Sequence, residues 1–152
     1  MMSTNKEGGD KMILSKKPSV LVCVTGQYDC DRLINVGFEK AVELGYELHV
    51  LCVHTPVSNA SFLSDEIEYL YQTSKRLCAD MTIAFNERAP QTAADFAKKI
   101  NAKHIITGIP DNRPFGFVES VQKLLPKTEI TIVTKQNECL LYNQACVSMA
   151  SA

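Results

Sequence analysis

Two short segments carry the residues best suited to holding a ligand. The first is Thr25-Gly26-Gln27, which follows an unbroken apolar run, Val20-Leu-Val-Cys-Val24. A hydroxyl, a glycine and a carboxamide in one turn supply hydrogen-bonding groups and let a backbone approach closely. The second is Gly108-Ile-Pro-Asp111-Asn112-Arg113-Pro-Phe-Gly116, directly after His104-Ile-Ile-Thr107. Its two prolines exclude regular structure. Arg113 offers a planar guanidinium to an anion; its alternative is a solvated charge paired with Asp111. Ser120 offers a hydroxyl, either to a ligand or as a helix N-cap. His54 stands at a strand end beside the expected crevice. The candidate ligand-binding residues are therefore Thr25, Gly26, Gln27, His54, Gly108, Asp111, Asn112, Arg113 and Ser120.

Other chemistry finds less support. The six cysteines stand at 23, 30, 52, 78, 139 and 146, with no C-x-x-C pair and no clustering with histidine. They read as reduced structural thiols; Cys30, at the start of a helix, is the best candidate for a redox role. His49 and His104 lack acidic or thiol neighbours at ligand spacing, so they read as core or edge histidines rather than metal ligands. There is no Walker loop, nucleophile elbow or paired carboxylates with an evident role. No catalytic residue and no metal site are assigned, and the chain reads as a non-enzyme.

The elements that position these residues follow from periodicity. Residues 20–24 are apolar without alternation and too short for a helix, as in a strand buried on both faces. Leu33, Ile34, Phe38, Ala41 and Leu44 recur at helical spacing, with Asp29 or Asp31 as cap and Gly45 as terminator. Gly37 lies on the inward face, where it permits close approach. A second strand spans 47–53. A second helix opens at Ser64, with Ile67, Leu70, Tyr71, Leu77 and Cys78 as its apolar face. A third strand covers 81–85, a turn 86–90 and a third helix 91–100. A fourth strand spans 104–107, and Val118, Val121, Leu124 and Leu125 mark a fourth helix, ended by Pro126. Glu129–Val133 is the fifth strand. Residues 139–142 are a possible sixth, hairpin-linked to the fifth.

This alternation predicts an α/β fold: one domain with an open five-stranded parallel sheet, order 3-2-1-4-5, and helices on both faces, Rossmann-like. The ligand crevice falls between strands 1 and 4, where the winding reverses. Residues 1–17 form a polar tail, 18–134 the domain, and 135–152 a C-terminal tail.

Three runs then resemble the universal stress protein family: Val20-Leu-Val-Cys-Val-Thr with Arg32-Leu-Ile; Ala41-Val-Glu-Leu-Gly-Tyr-Glu-Leu-His-Val-Leu-Cys-Val; and Ala102-Lys-His-Ile-Ile-Thr-Gly. The Glu-Leu-His-Val strand, the Val53-His-Thr-Pro56 exit and Ser120-Val-Gln-Lys-Leu-Leu125 are most similar to the stress-protein domain of osmosensitive potassium-sensor histidine kinases. The chain is expected to hold that domain alone. The resemblance implies an adenine nucleotide as the candidate cofactor, bound through an Asp after strand 1 and Gly-x2-Gly-x9-Gly-Ser/Thr after strand 4. Here Thr25 replaces the Asp, and Gly108 matches the first glycine. Asp111 occupies the second, and Glu119-Ser120 stands near the third. A carboxylate at Asp111 opposes phosphate oxygens, so the ATP loop reads as degraded. The Ser-x-Ser and Phe-Thr-Ala-x-Tyr motif of cyclic di-AMP binders is matched only by Thr25-Gly26-Gln27 and Leu48–Cys52, too poorly to carry that ligand over.

Composition bounds the rest. With net charge −1, 7% aromatic residues and no Trp among 152 residues, there is no electrostatic or stacking case for nucleic acid. No apolar run reaches the roughly 20 residues of a membrane span, and residues 1–18 lack a secretory core, so a cytoplasmic location is expected. The expected function is a non-catalytic stress-response or signalling module that binds a small molecule, a nucleotide being one candidate, or a partner protein such as a sensor kinase. The alternatives are a nucleotide-binding or nucleotide-hydrolysing enzyme of the same fold, and a purely structural docking homodimer. Strand 5 carries no proline or lysine to guard its edge, so a homodimer through that strand is expected.

Overall fold

β1, Ser19–Val24, runs through the middle of the sheet with its apolar side chains buried on both faces. The computed structural model describes residues 17–25, 28–54, 65–108 and 116–142. After β1 come a short 3-10 turn, Tyr28–Cys30, then α1 (Asp31–Leu44), β2 (Glu47–His54) and α2 (Asp65–Arg76). β3 (Asp80–Phe85), α3 (Ala89–Lys99), β4 (Ala102–Gly108) and α4 (Gly116–Leu124) follow, then β5 (Glu129–Val133) and β6 (Cys139–Leu141). The sheet order is β3-β2-β1-β4-β5-β6. The first five strands are mutually parallel, in the expected order. The sheet has six strands rather than five, because β6 returns antiparallel along β5.

The pleat of β1 sorts the core into two layers. Val20, Val22 and Val24 pack with Leu33, Ile34 and Leu70 under α1 and α2. Leu21 packs with Ala93, Ala97, Val118 and Ile130 under α3 and α4. Gly37 explains how closely α1 sits: a Cβ there would lie 2.3 Å from Val22 Cγ2, inside any real contact. Gly45 ends the helix at φ 72°, a left-handed conformation that suits glycine.

Several local expectations need correction. The N-cap of α1 is Cys30, with no side-chain cap bond, rather than Asp29 or Asp31. The Asp31 carboxylate instead accepts a 2.6 Å hydrogen bond from the Tyr69 hydroxyl of α2. Leu44 is exposed, because the chain turns away at Gly45. On α2 the buried face is Ile67, Leu70, Thr73 and Ser74, and Tyr71 is 41% exposed. Thr73 and Ser74 donate to the carbonyls of Tyr69 and Leu70 at 2.9 and 2.8 Å, so their hydroxyls are buried satisfied. Cys78, beyond the helix, is exposed, and the expected cap Ser64 lies outside the described residues. α3 starts at Ala89, with Pro90 in its first turn, where a missing N–H costs no hydrogen bond.

β6 also changes the picture at the sheet edge. Thr131, Ile132 and Val133 pair with Leu141, Leu140 and Cys139. The turn between them is fixed by Thr134, whose N–H donates to the Glu138 carbonyl at 2.8 Å and whose Oγ1 accepts from Glu138 N–H at 3.0 Å. A second copy pairing on β5 would have to displace this hairpin. The edge of β5, expected to be the dimer contact, is closed within the chain.

His104 is buried in β4, with Nε2 2.7 Å from Thr131 Oγ1 and Nδ1 3.3 Å from Glu129 Oε1. Burial, and then the charge of Lys40 on α1, hold its pKa below the usual 6.5, with Glu129 pulling the other way. His49 lies at the other strand face, edge-on to Phe96 and 3.5 Å from Glu47 Oε1.

Two predictions follow from this packing. Gly37→Ala adds a methyl group against a buried, stiff valine. We expect overpacking of about 1–3 kcal/mol, offset by up to about 1 kcal/mol of helix propensity. Urea unfolding should show a net loss, and an unchanged or raised stability would contradict the close approach. Because His104 has a lowered pKa in the fold, the unfolded chain binds more protons in mild acid. Stability is therefore full above the unfolded value and is lost as pH falls through the folded one. Unfolding free energy should drop as pH falls through the imidazole's ordinary 6.5 and below, and His104→Gln should remove much of that drop. Equal pH slopes in the two proteins would contradict the assignment.

Candidate functional site

β1 is the point at which the winding reverses: the chain leaves toward β2 on one side, and β4 and β5 continue on the other. Crossovers that diverge from a shared strand leave a crevice at its C-terminal end. A cavity of about 300 Å³ lies there. Its inner wall is apolar, formed by Leu51 and Val53 of β2, Ala93 of α3 and Phe117 of α4. Thr25, Asp29, Arg32, Thr107, Gly108 and Lys135 supply its polar side. A larger recess, about 470 Å³, lies at the opposite end of the sheet, between the C-terminal ends of α1 and α2. The charged groups on its described lining are Glu47 and Asp80, both acidic, and Lys17 Nζ stands 4.0 Å from Glu47 Oε2. The smaller cavity is the better candidate, since it combines the strand C-termini with groups of both charge signs.

Arg32 is its central feature. Nη1 donates to the carbonyls of Val133 at 3.2 Å and Thr134 at 2.9 Å, tying the first turn of α1 to the end of β5. Nη2 is engaged by none of these bonds and lies beside Gly108, where a Cβ would stand 3.7 Å away. The guanidinium is thus fixed by one nitrogen while another faces the crevice. Thr107 is buried and lines the same cavity.

Two of the residues singled out in the sequence meet here. Thr25 is exposed at the mouth, with its hydroxyl 3.5 Å from Cys30 Sγ, and Gly108 ends β4 opposite Val133. Ser120 does not join them: α4 begins at Gly116, so Ser120 falls in its second turn, exposed, and is not the N-cap. The backbone of His54 ends β2 opposite Phe85. The His54 side chain and Gly26, Gln27, Asp111, Asn112 and Arg113 lie outside the described residues. Arg32, Asp29, Thr107, Phe117 and Lys135 are lining residues that the sequence reading missed. One signal was present for Arg32: a cation in the first turn opposes the helix dipole, so it calls for another partner.

The thiols near the crevice are free. Cys30 is buried as the α1 N-cap. Burial, reinforced by the neighbouring Cys52 thiol, pushes Cys23 up to about 12. Cys52 rises to about 11, again mainly through burial, with Cys30 adding to it. Both are protonated at neutral pH and behave as small hydrophobes. Among the described residues no group of three His, Cys, Asp or Glu is placed to hold a metal ion. No described helix is long and apolar enough to cross a membrane.

No protein-family model and no curated protein matches the chain. Solved structures do. A universal stress protein in complex with cAMP superposes with TM-score 0.58 at 10% identity, over 82% of this chain and all of that one. The universal stress protein from Archaeoglobus fulgidus gives TM-score 0.50 at 19% identity, over 79% of this chain and 93% of that one. An N,N'-diacetylchitobiose deacetylase from Pyrococcus horikoshii gives 0.52 at 9% identity, over 88% of this chain and 66% of that one. At these identities the likeness is one of fold, an α/β sheet layered by helices as in universal stress proteins, and that fold also serves an enzyme.

The Arg32 bridge makes a prediction of its own. Arg32→Met removes two charge-assisted bonds to backbone carbonyls and should cost about 1–3 kcal/mol. The loss should fall on the β5–β6 hairpin, with faster hydrogen exchange at the Tyr142 amide, which donates to the Ile130 carbonyl at 2.8 Å. Unchanged exchange there would show that Arg32 does not hold the hairpin.

Proposed function

We propose that this chain is a non-catalytic ligand-binding module for stress response or signalling, and that its ligand is a small organic molecule held at the C-terminal ends of β1 and β4. The observation that carries this reading is the cavity itself: an apolar wall beside a guanidinium that is anchored through Nη1 and open at Nη2. That a universal stress protein of the same fold was solved with cAMP supports a nucleotide as one class to test. ATP is the poorer candidate, because Asp111 stands where the phosphate loop of ATP-binding relatives has glycine. Protonated thiols at Cys23 and Cys52 offer no nucleophile, which favours binding over turnover.

In this reading the chain acts in the cytoplasm and passes its ligand state to a signalling partner such as a sensor kinase. Self-association belongs to the same proposal, but with β5 covered it would run through β6. Light scattering should then show a dimer that proline at Leu140 abolishes; a monomer at tens of micromolar would refute it.

Ligand binding is tested by a thermal-shift panel of AMP, cAMP, ATP and small organic acids, on wild type and on Val53→Phe, which fills the cavity. We expect at least one compound to raise the melting temperature by several degrees in wild type only. A panel in which no compound distinguishes the two proteins would contradict the reading. Turnover of ATP by wild type but not by Val53→Phe would put an enzyme in its place.

A further inference from the structure

We infer that the end of the molecule remote from the crevice is a docking surface for an acidic protein segment, received by Lys98, Lys99, Lys103, Lys123 and Lys127. The inference rests on the reading of the chain as a signalling module and names the surface and chemistry of its partner; the ligand site does not enter it.

The topology brings these lysines together. In a parallel sheet each crossover helix ends where the next strand begins. Lys98 and Lys99 close α3, Lys103 opens β4, Lys123 closes α4, and Lys127 lies in the turn before β5. α3 and α4 pack side by side and β4 pairs with β5, so the two connections are neighbours. Strand alternation puts Lys103 on the face of Ile105, which belongs to the α3–α4 layer. All of these lysines are exposed.

The backbone beneath them is fixed. Ser19 holds the first connection: its N–H donates to the Asn101 carbonyl at 3.1 Å and its Oγ to the Ile100 carbonyl at 2.8 Å. Gln122 Nε2 holds the second, donating to the Leu125 and Thr128 carbonyls at 3.1 and 3.4 Å. The charges therefore stand on a rigid base, and only side chains are left to order on binding.

This charge is not neutralised within the described residues. Lys98, Lys99 and Lys123 complement the dipoles of α3 and α4. Lys103 and Lys127 stand outside the helices and have no such role. No lysine of the group is in an ion pair among the described residues. Asp95, one turn before Lys99, accepts from Gln91 Nε2 at 2.9 Å instead. Glu119, one turn before Lys123, forms no ion pair with it, and Glu129 meets His104 on the opposite face of the sheet. Residues 1–16 carry Lys6, Lys11 and Lys16 against Glu7 and Asp10, and 143–152 hold no charged side chain, so neither segment brings net negative charge.

The chemistry of the surface selects a protein segment. Lysine presents three donors on a flexible stem and suits carboxylates that arrive in no fixed plane. Among the described residues no large apolar side chain is exposed on α3, α4 or the turns after them, so a membrane would gain no inserted anchor there. No exposed arginine or aromatic ring stands between these lysines, among the described residues, to read or stack on a base. The crevice lies at the strand C-termini, so partner and ligand would occupy opposite ends of the sheet without competing.

The test is fluorescence anisotropy on the full chain with a labelled oligoglutamate peptide. Vesicles of phosphatidylserine with phosphatidylcholine, and a duplex DNA oligonucleotide, serve as comparison probes. The peptide should bind wild type, and about tenfold more weakly the variant combining Lys103→Gln, Lys123→Gln and Lys127→Gln. Lys98→Gln with Lys99→Gln should weaken it too, whereas Lys75→Gln with Arg76→Gln, at the end of α2, should leave it unchanged. Melting temperatures should match wild type throughout. Raising salt from about 0.01 M to about 0.15 M shortens the screening length from ~30 to ~8 Å and should weaken binding about tenfold. No peptide binding at low salt, or equal binding by wild type and both lysine variants, would overturn the surface. A loss as large in the α2 control would overturn it as well, by showing an effect of overall charge. Tighter binding of vesicles or DNA than of peptide would overturn the acidic protein partner. None of these outcomes bears on the crevice, which the thermal-shift panel tests separately.

Discussion

A strand that is apolar along its whole length is stable only when both of its edges are paired and both of its faces are covered. β1 imposes that condition on this molecule. Its backbone is hydrogen-bonded by β2 and β4, and its side chains meet helices above and below. Four buried side chains, Val20, Leu21, Val22 and Val24, at about 1.5–3 kcal/mol each for full burial, outweigh any single loop or surface contact among the described residues. Gly37 belongs to the same condition, because only a residue without a side chain lets α1 settle against Val22. The strand order then follows. With neighbours on each edge and right-handed crossovers, the chain must wind outward from β1 in two directions. The loops leave its C-terminal end on opposite sides of the sheet, and a crevice is left between them.

The electrostatics of that crevice rest on one side chain in an unfavourable place. A first-turn arginine faces the positive end of α1's dipole. It is held there by two carbonyls at the end of β5, which are themselves directed at the gap between α1 and the hairpin. The same contact therefore serves two purposes. It ties α1 to β5–β6 across the sheet, and it keeps a guanidinium at the cavity whose inner wall is apolar. A ligand anion that draws on Arg32 would act on the hairpin's anchor as well, so occupancy and the order of β6 are energetically linked.

How much of this was legible in the chain depends on the range of the interaction concerned. The apolar run at 20–24, the glycines at 37 and 45 and the strand–helix alternation declare local or periodic constraints, and the sheet order followed from them. The face of α2 was misread because Thr73 and Ser74 look polar while their hydroxyls are satisfied by the helix's own carbonyls. Asp31 looked like a cap and is instead bound to a tyrosine 38 positions away. Ser120 was displaced from its expected role by the earlier start of α4 at Gly116. The candidate site was half legible: Thr25 and Gly108 follow from strand ends, while Arg32 acquires its role from carbonyls 101 and 102 residues distant. No local pattern encodes a pairing of that range.

The central claim is that ligand recognition occurs at the C-terminal end of β1, between an apolar wall and Arg32. Methyl-labelled NMR with a titrated ligand tests it most directly, because the two recesses of the molecule carry different methyl groups. The account predicts shift changes and ligand contacts at Leu51, Val53 and Ala93, accompanied by a change at the Arg32 guanidinium. Changes confined to Val42, Leu48 and Leu77, which line the recess at the other end of the sheet, would contradict it.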